Sequence, residues 1–146
     1  MQRLILLFLL LLWAFTGCKR DKNAEPEPQP MPEVAGIVGK WHLVESRYTS
    51  GDSTVVKDMT NEPQKAFSIR FDGVMLYDGY GSCCAISEYE INGNVFKVKP
   101  QKDVPYNENC GLVDCLACPK LIITQIGDEM TIESCLGAVN KYVRKK

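Results

Sequence analysis

Apolar and polar residues alternate in short runs through most of the chain after residue 39. In the clearest run, Phe67, Ile69 and Phe71 form one apolar face, which predicts a strand that buries one side. Arg70 and Asp72 fall on the opposite side, where a half-buried strand faces solvent. Dipeptides that favour tight hairpin turns separate three pairs of runs: Asp72-Gly73, Asn92-Gly93 and Gly127-Asp128.

This pattern predicts about eight or nine short strands and no helix after residue 18. The strands are expected at residues 40–48, 53–57, 67–71, 74–78, 85–91, 94–99, 121–126, 130–134 and 137–144. Because tight turns join successive runs, we expect an all-β fold built as an antiparallel up-and-down sheet. Closing that sheet into a small barrel would remove its exposed edges.

Residues 100–119 interrupt the alternation. They contain three prolines and three cysteines and show neither a strand nor a helix period. A loop this long is unusual in a compact domain, so we expect disulfides to hold it down. Its predicted position is over one mouth of the barrel, as a lid.

The N-terminal residues follow a different pattern. Residues 4–15 are an uninterrupted apolar run that follows Arg3, and this run is too short to span a bilayer as a helix. It is typical of a secretory signal peptide. The run ends in Thr16-Gly17-Cys18, which resembles the lipobox of bacterial lipoproteins, with Phe15 where that family usually has Leu. A plain signal peptide that contains a cysteine is the alternative.

The lipobox resemblance implies that residues 1–17 are removed and that Cys18 carries the lipid anchor, including palmitate. Residues 18–36 are proline-rich and predict an extended tether, and residues 37–146 form the folded domain. Lys19 follows the anchor in place of the aspartate that retains many lipoproteins in the inner membrane. The expected location is therefore the cell envelope, lipid-anchored in the outer membrane.

Charge and hydropathy narrow the range of partners. The formal net charge is −1, and no basic patch is visible, which argues against nucleic acid as a partner. No second apolar run is long enough to cross a membrane. The membrane is therefore an expected partner only through the lipid, and the folded domain is expected to be water-soluble.

Six cysteines remain after the anchor, and an even number in an exported protein predicts disulfides. They are Cys83, Cys84, Cys110, Cys115, Cys118 and Cys135. Neighbouring residues in a strand point to opposite faces, so Cys83 and Cys84 are expected to bond to different partners. One arrangement joins one of them to Cys135 and the other to the loop.

Two alternatives use the same cysteines for chemistry. Cys115 and Cys118 form a C-x-x-C pair, but a redox role requires a helix N-terminus that the pattern does not predict. The spacing of Cys110, Cys115 and Cys118 also resembles metal and iron–sulfur sites, which would leave Cys83 and Cys84 unexplained. Disulfides account for all six cysteines, and we expect no metal and no cofactor.

The first strand contains Gly39-Lys40-Trp41, which resembles the Gly-x-Trp motif of lipocalins. The final strand ends in basic residues, as in that family, and the likeness covers residues 38–144. It is similar to short lipocalin-like domains of Gram-negative envelope lipoproteins. The resemblance implies a barrel that binds a small apolar ligand or peptide. Candidate lining residues are Trp41, Phe67, Ile69, Phe71, Tyr89, Phe96 and Tyr142.

In a barrel this small the same side chains would also serve as packed core. The rival hypothesis is therefore a filled barrel that docks or inhibits an envelope protein through its cysteine-rich loop. Catalysis is not expected, because His42 is the only histidine and no G-x-S-x-G nucleophile motif is present.

Overall fold

The computed structural model of this protein describes residues 31–62, 65–115, 118 and 120–145. The predicted signal peptide, the predicted anchor Cys18 and the predicted tether up to residue 30 lie outside these residues.

The described residues form ten strands and one short 3₁₀ helix. The strands are β1 Gly39–Ser50, β2 Ser53–Asp58, β3 Ala66–Ile69, β4 Met75–Tyr77, β5 Tyr80–Gly81, β6 Glu88–Ile91, β7 Asn94–Lys97, β8 Lys120–Ile126, β9 Glu129–Glu133 and β10 Val139–Arg144. The 3₁₀ helix, Glu108–Leu112, lies in the long loop between β7 and β8. The all-β class is therefore confirmed.

All ten strands belong to one curled sheet. Nine of them follow the order β5-β4-β3-β1-β10-β9-β8-β6-β7, and β2 pairs with β1 beside this path. Strand β1 is long enough to pair along one edge with two strands. Its first half, Gly39–His42, pairs with β3, and its second half, Glu45–Ser50, pairs with β2. Strand β10 pairs with its other edge.

The predicted closed, eight-stranded barrel is wrong, because the sheet curls into a half-barrel. Its end strands, β5 and β7, are short and do not pair with each other. The up-and-down order is also wrong, because β3 pairs with β1 and not with β2, and β5 does not pair with β6. Strands β6 and β8 pair in parallel, with Glu88 opposite Lys120. A parallel pair cannot be joined by a tight hairpin, so the chain returns through the long residue 98–119 connection.

Two of the predicted hairpins are confirmed. Asn92 and Gly93 have φ values of 48° and 84° and join β6 to β7, with Ile91 opposite Asn94. These angles match the type I′ turn, whose twist suits a two-residue hairpin. Strands β8 and β9 are joined by a two-residue turn at Gly127 and Asp128, in which only Gly127 has a positive φ, of 58°.

The third hairpin has a wider turn than its sequence predicts. Strand β3 ends at Ile69, which pairs with Met75, and the connection between them occupies residues 70–74. Phe71 and Asp72 therefore leave the alternating pattern of β3. Asp72 was expected to face solvent, but it is fully buried.

Buried apolar side chains fill the concave side of the sheet. They are Val34, Ile37, Trp41, Phe67, Ile69, Met75, Tyr89, Ile91, Phe96, Leu121, Ile123, Met130 and Ile132. Burying a side chain of this size contributes roughly 1.5–3 kcal/mol to stability, so this cluster is the main stabilising feature of the fold.

A turn before β1 covers one end of the half-barrel. Residues 32–37 form this turn, and Val34 and Ile37 have no exposed surface. The Trp41 indole N–H donates to the Ile37 carbonyl at 2.7 Å, which satisfies its buried polar atom. The turn is therefore part of the core, although the sequence assigned residues 31–36 to the tether.

Arg144 fixes this turn to the last strand. Its guanidinium lies 4.3 Å from the centre of the Trp41 ring and donates to the carbonyls of Gly36 and Val38. It also forms an ion pair with Asp128 at 3.1 Å. A cation over an aromatic face, with its N–H groups satisfied, favours one position of the side chain.

Candidate functional site

Five of the seven residues predicted to line a ligand cavity belong to the packed core: Trp41, Phe67, Ile69, Tyr89 and Phe96. Tyr142 packs against that core, with its ring 4.9 Å from the ring of Phe67 in an edge-to-face arrangement. The Tyr89 and Phe96 rings are stacked at 6.3 Å, and the Tyr89 hydroxyl donates to the Gly73 carbonyl at 2.8 Å. The structure thus brings six of these side chains together as packing partners.

One cleft that borders this core is small. A cleft lined by Met75, Ile86, Tyr89 and Val98 has a volume of about 110 Å³. Pockets that hold drug-sized ligands are typically about 300–1,000 Å³, so this cleft accommodates little more than a few water molecules.

Phe71, the seventh candidate, lies in the β3–β4 turn and is half-buried outside the core cluster. Its carbonyl accepts a hydrogen bond from the Met31 N–H at 3.1 Å. Phe71 therefore holds the N-terminal turn through its backbone.

The buried carboxylate of Asp72 was missed by the sequence reasoning. Arg70 approaches it with two N–H groups, at 3.0 and 2.5 Å. The backbone N–H groups of Gln101 and Val74 donate to it at 2.8 and 3.3 Å. Burial raises the pKa of Asp72, but these hydrogen bonds outweigh that effect and hold its pKa below the ordinary value.

Arg70 extends this cluster into the long loop. Its guanidinium also donates to the carbonyls of Lys102 and Asp103, at 3.1 and 3.0 Å. The Arg70–Asp72 pair therefore connects the β3–β4 turn to residues about thirty positions later. The Arg-x-Asp spacing was the one sequence signal for this ion pair. It was overlooked because the alternating pattern predicted both side chains on the solvent face of a strand.

Three disulfides staple the loop. Cys83 bonds to Cys110 and Cys84 bonds to Cys115. The predicted oxidation of all six cysteines is confirmed, and so is the expectation that the two neighbours have different partners. Cys135 bonds to Cys118, so the suggested link from Cys83 or Cys84 to Cys135 is wrong.

The C-x-x-C pair does not form a disulfide of its own. Cys115 and Cys118 belong to two separate disulfides, with Cys84 and Cys135. The small redox ring that the oxidoreductase alternative requires is absent from this pairing. Among the residues that the structure describes, no group of three His, Cys, Asp or Glu side chains is close enough to hold a metal.

A backbone contact also holds the loop against the end of the sheet. The Gly81 N–H of β5 donates to the Pro105 carbonyl at 2.8 Å. A β-carbon at Gly81 would come within 2.5 Å of the Val104 side chain, so the approach depends on glycine. The loop therefore partly covers the β5 edge that the open sheet leaves.

The stapled loop exposes apolar side chains. Leu112 is 92% exposed and Val113 is 47% exposed, and both lie between the disulfide-bonded Cys110 and Cys115. We call residues 110–115 the cysteine-loop surface. Disulfides hold its backbone at both ends, and the side chains of Leu112 and Val113 stay exposed to solvent instead of packing into the core.

The other polar candidates have structural partners. A ring nitrogen of His42, Nε2, lies 3.3 Å from the Thr60 carbonyl. Glu90 faces outward from β6 and forms an ion pair with Lys120 at 2.5 Å. No helix within the described part of the chain is long and apolar enough to cross a bilayer.

The fold and this surface define a class of protein: an all-β, disulfide-stapled half-barrel with a packed interior and an exposed loop. Comparison with known proteins adds no narrower assignment. No family model matches the sequence, and neither a curated protein nor a solved structure matches it.

Proposed function

We propose that this protein is a lipid-anchored, non-enzymatic binding protein of the cell envelope that docks a protein partner through its cysteine-loop surface. The observation that carries this proposal is the contrast between a filled interior and an exposed, covalently fixed loop. A ligand carrier needs space inside, whereas a docking protein needs an ordered apolar surface outside.

Leu112 and Val113 supply such a surface. Apolar side chains that a partner removes from water contribute about 25 cal/mol per Å² of buried apolar area. Two disulfides fix the loop before binding, so little conformational entropy remains to be lost on association.

The compartment is supported by the cysteines. Six oxidised cysteines are stable in an oxidising compartment and are rare in the cytosol. This agrees with the signal peptide and with lipidation at Cys18, which places the docking domain on a membrane through a proline-rich tether.

Carriage of a small apolar ligand is the second candidate, and one observation favours it. A shallow cleft of about 350 Å³ lies beside Phe67 and Leu76, between Lys40 and Lys145. Its volume lies within the range of ligand sites. Its lining contains two lysines and one carboxylate, Asp78, and this excess of cations suits the acidic group of an amphiphile.

Site-specific photo-crosslinking in cells tests the docking proposal. We would place a photoreactive phenylalanine analogue at Leu112 of the full-length, lipidated protein. The matched control carries it at Val56, which is 55% exposed on β2. A discrete protein adduct at Leu112 that Val56 does not give would support the proposal, and identical adducts or none at Leu112 would refute it.

Native mass spectrometry of the oxidised protein tests the second candidate. A copurifying mass that is lost on denaturation would support a carrier. A bare mass, together with no change in tryptophan fluorescence on adding fatty acids, would exclude one for that ligand class.

A further inference from the structure

A third pocket lies beside the loop, at the β4–β5 hairpin. It has a volume of about 420 Å³ and lies between that hairpin and the start of the 3₁₀ helix. Its lining residues are Tyr77, Asp78, Tyr80, Tyr106, Asn107, Glu108 and Asn109. Neither the core nor the cysteine-loop surface accounts for this concentration of tyrosines.

Two of the three tyrosine rings lie on the β4–β5 hairpin. Tyr77 and Tyr80 are directly opposite each other across a two-residue turn, so their side chains leave the same face. The Tyr77 ring lies 5.8 Å from the Phe67 ring, and its hydroxyl donates to the Met75 sulfur at 3.3 Å. Tyr77 is therefore held in place by the core.

The third ring comes from the opposite wall. Tyr106 is 69% exposed and directly precedes Asn107, whose side-chain oxygen caps the 3₁₀ helix by accepting from the Asn109 N–H. The Cys83–Cys110 disulfide and the Gly81–Pro105 hydrogen bond join the two walls. The pocket is therefore built before any ligand arrives.

Charge decides what this pocket can hold. Asp78 and Glu108 place two carboxylates in its lining, and the lining contains no lysine or arginine. Within the described residues, neither carboxylate forms an ion pair. An anionic ligand would therefore be repelled.

We infer that this pocket binds an alkylammonium group, such as the trimethylammonium of choline or of a choline lipid headgroup. Aromatic faces attract such cations through their ring quadrupoles, and several rings around one site are the usual means of recognising them. The two carboxylates also attract the cation. This attraction needs no hydrogen-bond donor, which a quaternary ammonium lacks. The lining combines aromatic rings with hydrogen-bond acceptors, which an acyl chain alone does not need.

This inference goes beyond the docking proposal and does not depend on it. The docking experiment probes Leu112, whereas the present one uses small molecules at Tyr77, Tyr80 and Tyr106. Either can fail while the other succeeds.

Calorimetric titration of the full mature protein, oxidised and in maltoside micelles, tests the inference. The probes are choline and its neutral carbon isostere 3,3-dimethyl-1-butanol, which have nearly the same shape but differ in charge. We expect choline to bind and the neutral isostere to bind much more weakly. Equal binding of the two, or no binding of choline, would overturn the inference.

Variants locate the binding. Tyr106→Ala removes an exposed ring and is expected to weaken choline binding roughly two- to fivefold, while Tyr106→Phe keeps the ring face and the affinity. Tyr48→Ala is the matched control, because Tyr48 is 41% exposed on β1 and is not part of the pocket. An equal loss in Tyr48→Ala would contradict the assignment.

Two further titrations identify the ligand class. The first distinguishes a choline lipid headgroup from free choline, and the second tests a neutral sugar as the alternative ligand. Short-chain phosphatidylcholine that binds more tightly than choline would assign the site to a lipid headgroup, and the reverse order would assign it to the free solute. Neutral oligosaccharides can also stack on tyrosine faces. If a hexasaccharide of glucose binds in a Tyr106-dependent manner and choline does not, the inference is wrong.

Discussion

Asp72 connects two segments that are far apart in the sequence. Its carboxylate is fully buried and bonded to Arg70 on the turn and to the backbone of Gln101 in the loop. Buried charges are tolerated in proteins when they are paired and hydrogen-bonded in this way. The same contacts make the pair costly to break.

We expect Asp72→Ala to destabilise the protein by about 3 kcal/mol, because it leaves the Arg70 guanidinium without its partner. Chemical denaturation measures the change in the free energy of unfolding. Asp52→Ala is the control, since Asp52 is exposed in the β1–β2 turn and its removal should change stability by less than about 0.5 kcal/mol. Equal effects would show that the pair contributes nothing specific.

The same carboxylate makes stability depend on pH. The pKa of Asp72 is lower in the folded protein than its ordinary value, so the folded state binds its proton less readily than the unfolded state. Its contribution is complete above the unfolded pKa and is lost as pH falls through the folded pKa. We expect Asp72→Asn to flatten the loss of stability below about pH 4. An unchanged slope would contradict this.

The sequence could identify Phe67, Ile69, Tyr89 and Phe96 as inward-facing, because strand alternation determines which face a residue occupies. It could not place Asp72. The alternation ends at Ile69, and the loop that satisfies the carboxylate lies about thirty residues away.

Gly73 shows how closely the turn between β3 and β4 approaches β7. It has a φ of 81°, and a β-carbon there would lie 2.6 Å from the Phe96 ring. Gly79 has a φ of 86° and no heavy atom within 4 Å of the same position. The two glycines therefore share a backbone conformation and differ in their surroundings.

Gly73→Ala is expected to lower the melting temperature more than Gly79→Ala. Both substitutions place a β-carbon in the left-handed region, which costs about 1–2 kcal/mol. Only the first also displaces the Phe96 ring. Calorimetry of both variants isolates the cost of the contact, and equal losses would mean that the ring moves aside freely.

The disulfides hold the loop between β7 and β8. Replacing Cys83 and Cys110 together by serine removes one of them, and a structural disulfide contributes about 2–4 kcal/mol. We expect faster proteolysis after Tyr106 as well as lower stability, because the hydrogen bond from Gly81 to Pro105 then holds that wall with one fewer covalent link.

The Cys118→Ser/Cys135→Ser protein is the control for this experiment. It lacks a disulfide of similar expected strength at the other end of the loop. If both double variants are cleaved equally fast after Tyr106, the Cys83–Cys110 bond does not specifically order that wall.

Local signals predicted the hairpins, because Asn92-Gly93 and Gly127-Asp128 contain the information in the turn itself. The parallel pairing of β6 with β8 left no such signal. It depends on contacts between Ile91 and Ile123 and on a connection whose disulfide partners no spacing rule identifies.

For the whole molecule, the sequence correctly predicted the all-β class and nearly every strand, but its prediction that the sheet closes into a barrel was wrong. The alternation of apolar and polar residues indicates which face of a strand is buried. It does not indicate which other strand pairs with each edge. The sheet stays open because the strands at both of its ends are short and do not pair with each other. The turn at residues 32–37 adds the buried side chains of Val34 and Ile37 to the core.

The lipid anchor is tested on the intact protein in a bacterial host. We expect metabolic labelling with palmitate to mark the wild-type chain and not the Cys18→Ser variant, which should leave the membrane fraction. Cys135→Ser controls for the loss of any cysteine. Palmitate on the Cys18→Ser protein would refute the proposed anchor.

The pairing of strand β1 has a consequence for the order in which the domain folds. It pairs with β3 and β2, which follow it closely, and with β10, which is separated from it by most of the described chain. Until β10 is in place, one edge of β1 therefore has no strand to pair with over Trp41–Arg47. A chain that lacks Val139–Arg144 also lacks the guanidinium that lies over Trp41, so it loses the cover of both the β1 edge and the indole.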